Sequence, residues 1–147
     1  MADRIIAKEL RYLTSNQVAG MYVSPTNYVR EWRVTMIGPP GSRYADGTFH
    51  LRVVFPQDYN NSPPRLIFVT TIYHMNVYED GNVCTNALNA GWNPGHSSVL
   101  EVLMAVQQLL QVHNPKSPAR GELGRLFQTD REQYFRNCIA HTRQFAM

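Results

Sequence analysis

Hydrophobic positions recur along the chain with two periods, and the change from one to the other outlines its elements. Ile6, Leu10 and Leu13 are spaced i, i+4, i+7, so residues 2–14 are expected to form a helix with those side chains toward a core. Arg4, Lys8 and Arg11 repeat the spacing on another face as a basic stripe. Strict alternation follows. Glu31 to Ile37 puts Trp32, Val34 and Met36 on one face, and Thr48 to Phe55 puts Phe49, Leu51, Val53 and Phe55 on one face. Leu66 to Val69 is a shorter apolar run after Pro63-Pro64, and Met21 to Ser24 is a weaker fourth strand. Gly38-Pro39-Pro40-Gly41-Ser42 is a strong turn signal between the two long strands. Such short connections favour an antiparallel meander.

From about Thr70 to Ser97 neither period is sustained. A patternless stretch of that length inside one domain commonly carries function. Ser98 and Glu101 then form a capping box that opens a helix with Val99, Val102, Leu103, Val106, Leu109 and Leu110 inward. Asn114-Pro115 and Ser117-Pro118 close it. Thr129 and Glu132 read as a second capping box, opening a last helix that buries Tyr134, Phe135, Cys138, Ile139, Thr142 and Phe145. Strands segregated from helices predict an α+β fold: helix, four-stranded meander, long loop, two or three helices.

With 147 residues and no internal repeat or linker, one domain over 1–147 is expected. The 2 cysteines, Cys84 and Cys138, are far apart, which excludes zinc and thioredoxin-like spacings and suits a reducing compartment. A net charge of +3 is too small and scattered for a nucleic-acid module, and no apolar run approaches a membrane span. These counts leave the chemistry open.

The long loop narrows it. It reads Ile72-Tyr73-His74-Met75-Asn76, then Gly81-Asn82-Val83-Cys84, then Trp92-Asn93-Pro94, with Asn76 eight residues before Cys84 and Trp92 eight after. Further anchors are Gly38-Pro39, Tyr44 with Gly47-Thr48-Phe49, Phe55-Pro56 with Asp58-Tyr59, Pro63-Pro64, Asn114-Pro115 and the tail from Thr129. Together these resemble the ubiquitin-conjugating enzymes, in which a His-Pro-Asn triplet precedes a catalytic cysteine. The resemblance spans nearly the whole chain and implies a helix, four strands and C-terminal helices around a single catalytic core.

The resemblance implies an acyltransferase in which Cys84 takes a ubiquitin carboxy terminus from the activating enzyme as a thioester. It then passes the acyl group to a substrate lysine or a ligase cysteine. No metal or organic cofactor is implied, and ATP is used upstream by the activating enzyme. Asn76 matches the asparagine proposed to stabilise the oxyanion, with a purely structural role as the rival. His74 matches a loop-structuring position. Met75 stands in place of the proline, which predicts a less pre-organised loop. Ser117 and Asn86 stand where acidic residues are common, which predicts slow direct transfer to free lysine. Arg4, Lys8 and Arg11 match the face that meets the activating enzyme, and Asn61 and Pro94 fall on the loops that meet RING-type ligases. A polar Asn61 forfeits an apolar anchor there. Met104 and Gln108 match the face that holds donor ubiquitin. The expected partners are ubiquitin, its activating enzyme, ligases and protein substrates, in the cytoplasm or nucleus, with the enzyme a monomer. The alternatives are a carrier of SUMO or NEDD8, and a catalytically weak scaffold that only binds ubiquitin.

Overall fold

In the computed structural model, which describes residues 1–85 and 91–147, the alternating segments lie side by side as one antiparallel sheet. Helix α1 (Ala2–Ser15) leads into strands β1 (Met21–Pro25), β2 (Glu31–Ile37), β3 (Thr48–Val54) and β4 (Arg65–Phe68), paired in the order β1-β2-β3-β4. The expected meander is therefore present. Register follows from burial: Trp32 faces Val53, Val34 faces Leu51 and Met36 faces Phe49, and all six side chains are buried. A slip of one residue would turn this whole set to solvent. The alternate positions carry Arg33 opposite Arg52, and Glu31 takes the Arg52 guanidinium at 2.8 Å.

After the long loop come α2 (Val99–Leu109), α3 (Gly121–Thr129) and α4 (Arg131–Phe145). The Ser98 amide donates to the Glu101 carboxylate at 2.9 Å, as the sequence pattern predicts, and the six expected core positions of this segment are all buried. Two expectations for the last helix are corrected. Thr129 does not cap it: Thr129 closes α3, its hydroxyl donating to the Arg125 carbonyl at 2.9 Å, and Asp130 is the cap, accepting from the Gln133 amide at 3.1 Å. An ionised carboxylate suits a helix N-terminus better than a hydroxyl already engaged one turn back. Phe145 is not core either; it is 48% exposed, beside the His141 ring at 4.4 Å. The buried stripe advances strictly by four, through Tyr134, Cys138, Thr142 and Ala146, and leaves Phe145 on its flank.

Two glycines connect this frame to the long loop. Gly38 lies flat against the Tyr44 carbonyl, where an added Cβ would overlap the oxygen, and it anchors Tyr44 beneath the loop. Gly81 has φ of +94° and its carbonyl accepts from the Phe68 amide at 2.8 Å, tying the loop to β4. Replacement Gly38→Ala is expected to cost at least about 3 kcal/mol in urea unfolding, because the overlap is with backbone and cannot relax by a side-chain rotation. A loss under about 1 kcal/mol would show that the Tyr44 segment is free to move.

Candidate active site

Why should Cys84 lie exactly eight residues beyond Asn76? The intervening chain is a small hairpin. Tyr78 N–H donates to the Asn82 carbonyl at 2.8 Å, Val77 bridges Val83, and Cys84 N–H donates to the Asn76 carbonyl at 2.8 Å. Each pair is symmetric about the turn at Asp80, so the spacing returns Cys84 to the side of Asn76. Cys84 is 5% exposed, at the end of this hairpin. Asn86 lies outside the described residues.

The triplet before the hairpin is held from all sides. His74 is buried; its Nδ1 accepts from the Asn76 amide at 3.0 Å, so Nε2 carries the proton and donates to the Leu109 carbonyl at 2.6 Å. Both ring nitrogens are thus in use, which supports the structuring role over a general base. The Asn76 side chain is fully buried. Its Nδ2 donates to the carbonyls of Asn114 and Ser117 at 2.8 and 2.9 Å, and its Oδ1 accepts from the Asn114 amide at 2.9 Å. Both hydrogens and the oxygen of that amide are engaged in holding residues 114–117 against the hairpin. Ser117 is half-buried within the clamped loop.

Met75 is also fixed, which differs from the expectation of a looser loop. Its side chain is fully buried, and its N–H, a donor that proline lacks, gives to the Tyr134 hydroxyl at 2.9 Å. The Tyr134 hydroxyl is in turn hydrogen-bonded to His113 Nδ1 at 2.8 Å. The Met75 carbonyl accepts from the Ala119 and Arg120 amides at 2.6 and 3.2 Å, while the Arg120 guanidinium binds the carbonyls of Ile72 and Val77 at 2.9 and 2.7 Å. His113 and His74 stack with centroids 4.1 Å apart, beside Tyr44. Tyr134, His113 and Arg120 were not singled out by the sequence. Tyr134 and Arg120 hold backbone atoms more than 40 positions away, and His113 is reached through the Tyr134 hydroxyl; no local pattern encodes such contacts.

The remaining expected residues form two further groups. Arg4, Lys8 and Arg11 are exposed on α1, and Asn61 and Pro94 are exposed on two loops brought together by the Trp92 Nε1 bond to the Asn61 carbonyl at 3.2 Å. Glu9, which the sequence reading passed over, joins these parts: one carboxylate oxygen accepts from the Tyr59 hydroxyl at 3.0 Å and the Val99 amide at 2.8 Å. Burial raises the Glu9 pKa against those bonds. A groove of about 580 Å³ runs beside it, lined by Ile5, Lys8, Tyr12, Asn60, His96 and Leu100 among others. Met104, 44% exposed, and Gln108 lie one turn apart on the outer face of α2.

A family model described as ubiquitin-conjugating enzyme matches residues 5–142. The chain belongs to the ubiquitin-conjugating enzyme family. The family carries conjugating, acyltransferase-type activity on ubiquitin-like proteins and works between activating enzymes and ligases, and it accounts for the order of helix, sheet and helices described above. Within that family frame, the active-site loop of this chain is held by the Met75 donor and the hydroxyl that receives it.

Two predictions follow from the buried network. Tyr134→Phe leaves the Met75 N–H buried and unpaired and is expected to cost about 1–3 kcal/mol of stability. Adding Met75→Pro removes the donor, so a double-mutant cycle should return about 1 kcal/mol or more of coupling; purely additive losses would mean that the bond contributes nothing. The second concerns pH. Burial holds His74 down at about 4 despite its bond to Leu109, and burial together with His74 and Arg43 lowers His113. His141 is lowered by burial in the same sense. The unfolded chain takes up these protons near pH 6.5 and the native state does not, so stability is complete above that pH and is lost as the pH falls toward 4. Glu9 acts oppositely, as one carboxylate against three imidazoles. The urea midpoint should therefore drop between pH 7 and pH 5; a midpoint that holds or rises would mean charged histidines in the native state.

Proposed function

We propose that this enzyme carries ubiquitin as a thioester on Cys84, in the cytoplasm or nucleus, where thiols stay reduced. The Cys84 thiolate attacks the carbonyl of ubiquitin's thioester on the activating enzyme. The carbon–sulfur bond to the activating enzyme breaks, its thiolate leaves, and a new carbon–sulfur bond to Cys84 remains. In the second transfer a lysine amine or a ligase thiolate attacks, and Cys84 leaves in turn. Thiolates serve both as nucleophile and as leaving group, so neither transfer needs a metal or an organic cofactor. The observation that carries this reading is the hairpin that brings Cys84 onto the carbonyl of a fully clamped Asn76.

In this proposal Asn76 acts chiefly as a positioning residue. Its amide hydrogens are committed to Asn114 and Ser117, and one of those bonds would have to be released before it could meet an oxyanion. Ser117 offers no carboxylate to orient or deprotonate an incoming amine, so direct transfer to free lysine is slow and transfer to a ligase cysteine is favoured. The basic stripe of α1 and the adjoining groove serve the activating enzyme and ligases, and Met104 with Gln108 supports donor ubiquitin.

Incubation with activating enzyme, ATP and ubiquitin should yield an adduct that reductant removes. Cys84→Ser should replace it with an ester that survives reductant and yields to alkali. An adduct only with SUMO or NEDD8 and their activating enzymes would change the modifier and keep the chemistry. An adduct with no modifier, or a reductant-sensitive adduct persisting in Cys84→Ser, would overturn the reading.

A further inference from the structure

Of the 14 lysines and arginines, Lys8 and Lys116 are the only lysines; the rest are arginine. The two cations differ sharply toward a thioester. A guanidinium stays protonated and delocalised and has no lone pair to offer, whereas a lysine amine attacks once it loses its proton. The chain therefore exposes few side-chain amines to any acyl group that it carries. Lys8 lies on α1, in the groove with Asn60 and His96. Lys116 is placed quite differently. It is exposed in the segment Asn114-Pro115-Lys116-Ser117-Pro118, and Asn114, two positions before it, and Ser117, next to it, are the residues that hold the Asn76 amide. Asn76 also accepts from the Cys84 amide, so two hydrogen bonds through one residue join the lysine's loop to the cysteine. The loop is stiff: two prolines flank the lysine, the Asn114 side chain accepts from the Lys116 amide at 3.0 Å, and the Met75 carbonyl holds Ala119.

We propose that Lys116 is an intramolecular acceptor, so that the 114–118 loop is a self-modification site of this enzyme; the inference rests on the thioester reading of Cys84. The Lys116 ammonium first gives a proton to solvent. Its neutral amine then adds to the thioester carbonyl, the carbon–sulfur bond to Cys84 breaks and an isopeptide bond forms. The proton shed by the nitrogen restores the Cys84 thiol, and no other reactant is consumed. A group tethered on the same chain has an effective concentration in the millimolar range wherever its tether can span the two sites. Transfer to Lys116 thus competes whenever no ligase cysteine or substrate lysine is engaged. The acyl group then sits permanently on the loop that clamps Asn76, which makes the reaction a self-limiting exit for idle enzyme.

The test uses the full chain with activating enzyme, ATP and ubiquitin whose lysines are all arginine, so that chains cannot form, and no ligase. The expected product is a single reductant-resistant adduct, mapped to Lys116 by mass spectrometry. It should form with a first-order rate independent of enzyme concentration and be suppressed by free lysine only at roughly millimolar levels. Lys116→Arg should reduce that adduct by at least about tenfold and lengthen the lifetime of the thioester. Thioester formation with no resistant adduct, an adduct mapped to Lys8 or the amino terminus, a yield unchanged in Lys116→Arg, or a rate rising with enzyme concentration would each overturn the inference and leave Cys84 as carrier. Failure to form any thioester would overturn both.

Discussion

The active-site region depends on one constraint: the loop that carries His74, Met75 and Asn76 must have every backbone and side-chain polar group satisfied in a dry interior. All three residues are essentially inaccessible, at 1% or less. An unpaired polar group there would cost on the order of 1–3 kcal/mol. His74 therefore spends both ring nitrogens, Asn76 its whole amide, and Met75 its N–H and carbonyl. Together the bonds reach three elements, so satisfying the loop also fixes the C-terminus of α2, the 114–120 segment and α4 relative to one another. The position of Cys84 is a consequence, because its amide pairs with the last residue of that triplet.

The methionine shows how such a constraint is met at one position. Proline restricts φ and has no donor, so it stiffens a loop at no cost in hydrogen bonding. Methionine loses the restriction and adds an N–H that needs a partner. Tyr134 supplies the partner and its hydroxyl is hydrogen-bonded in turn to His113, which stays neutral against His74. A loop held by a prolyl ring and one held by a buried relay differ in how they respond to acid. A prolyl ring is indifferent to pH; the relay ends on an imidazole.

Much of the fold was legible because burial imposes a period. Alternation placed β2 at Glu31–Ile37, and the paired Ser98 and Glu101 marked the start of α2, since both signals are local. The last helix shows where local signals compete: Thr129 and Asp130 are adjacent cap formers, and only the packing of α3 against α4 decides between them. Phe145 was misplaced because apolar character was read as burial, while the stripe through Tyr134, Cys138 and Thr142 ends on Ala146. In the site, Cys84 and Asn76 were visible by resemblance to a motif, and the physical reason for their spacing became clear only as a hairpin. Tyr134 and Arg120 act on backbone atoms far along the chain, and His113 acts through Tyr134, so nothing in their sequence neighbourhood announces these roles.

Amide hydrogen exchange measured residue by residue, under conditions in which opening and closing are fast, tests this account most directly. If the buried relay fixes the active-site loop, the amides of Met75, Asn76 and Cys84 exchange only through global unfolding, with the same free energy as Val34 and Leu51 in the centre of the sheet. Exchange of those three amides through a local opening, at a free energy several kcal/mol below that of the sheet, would contradict it.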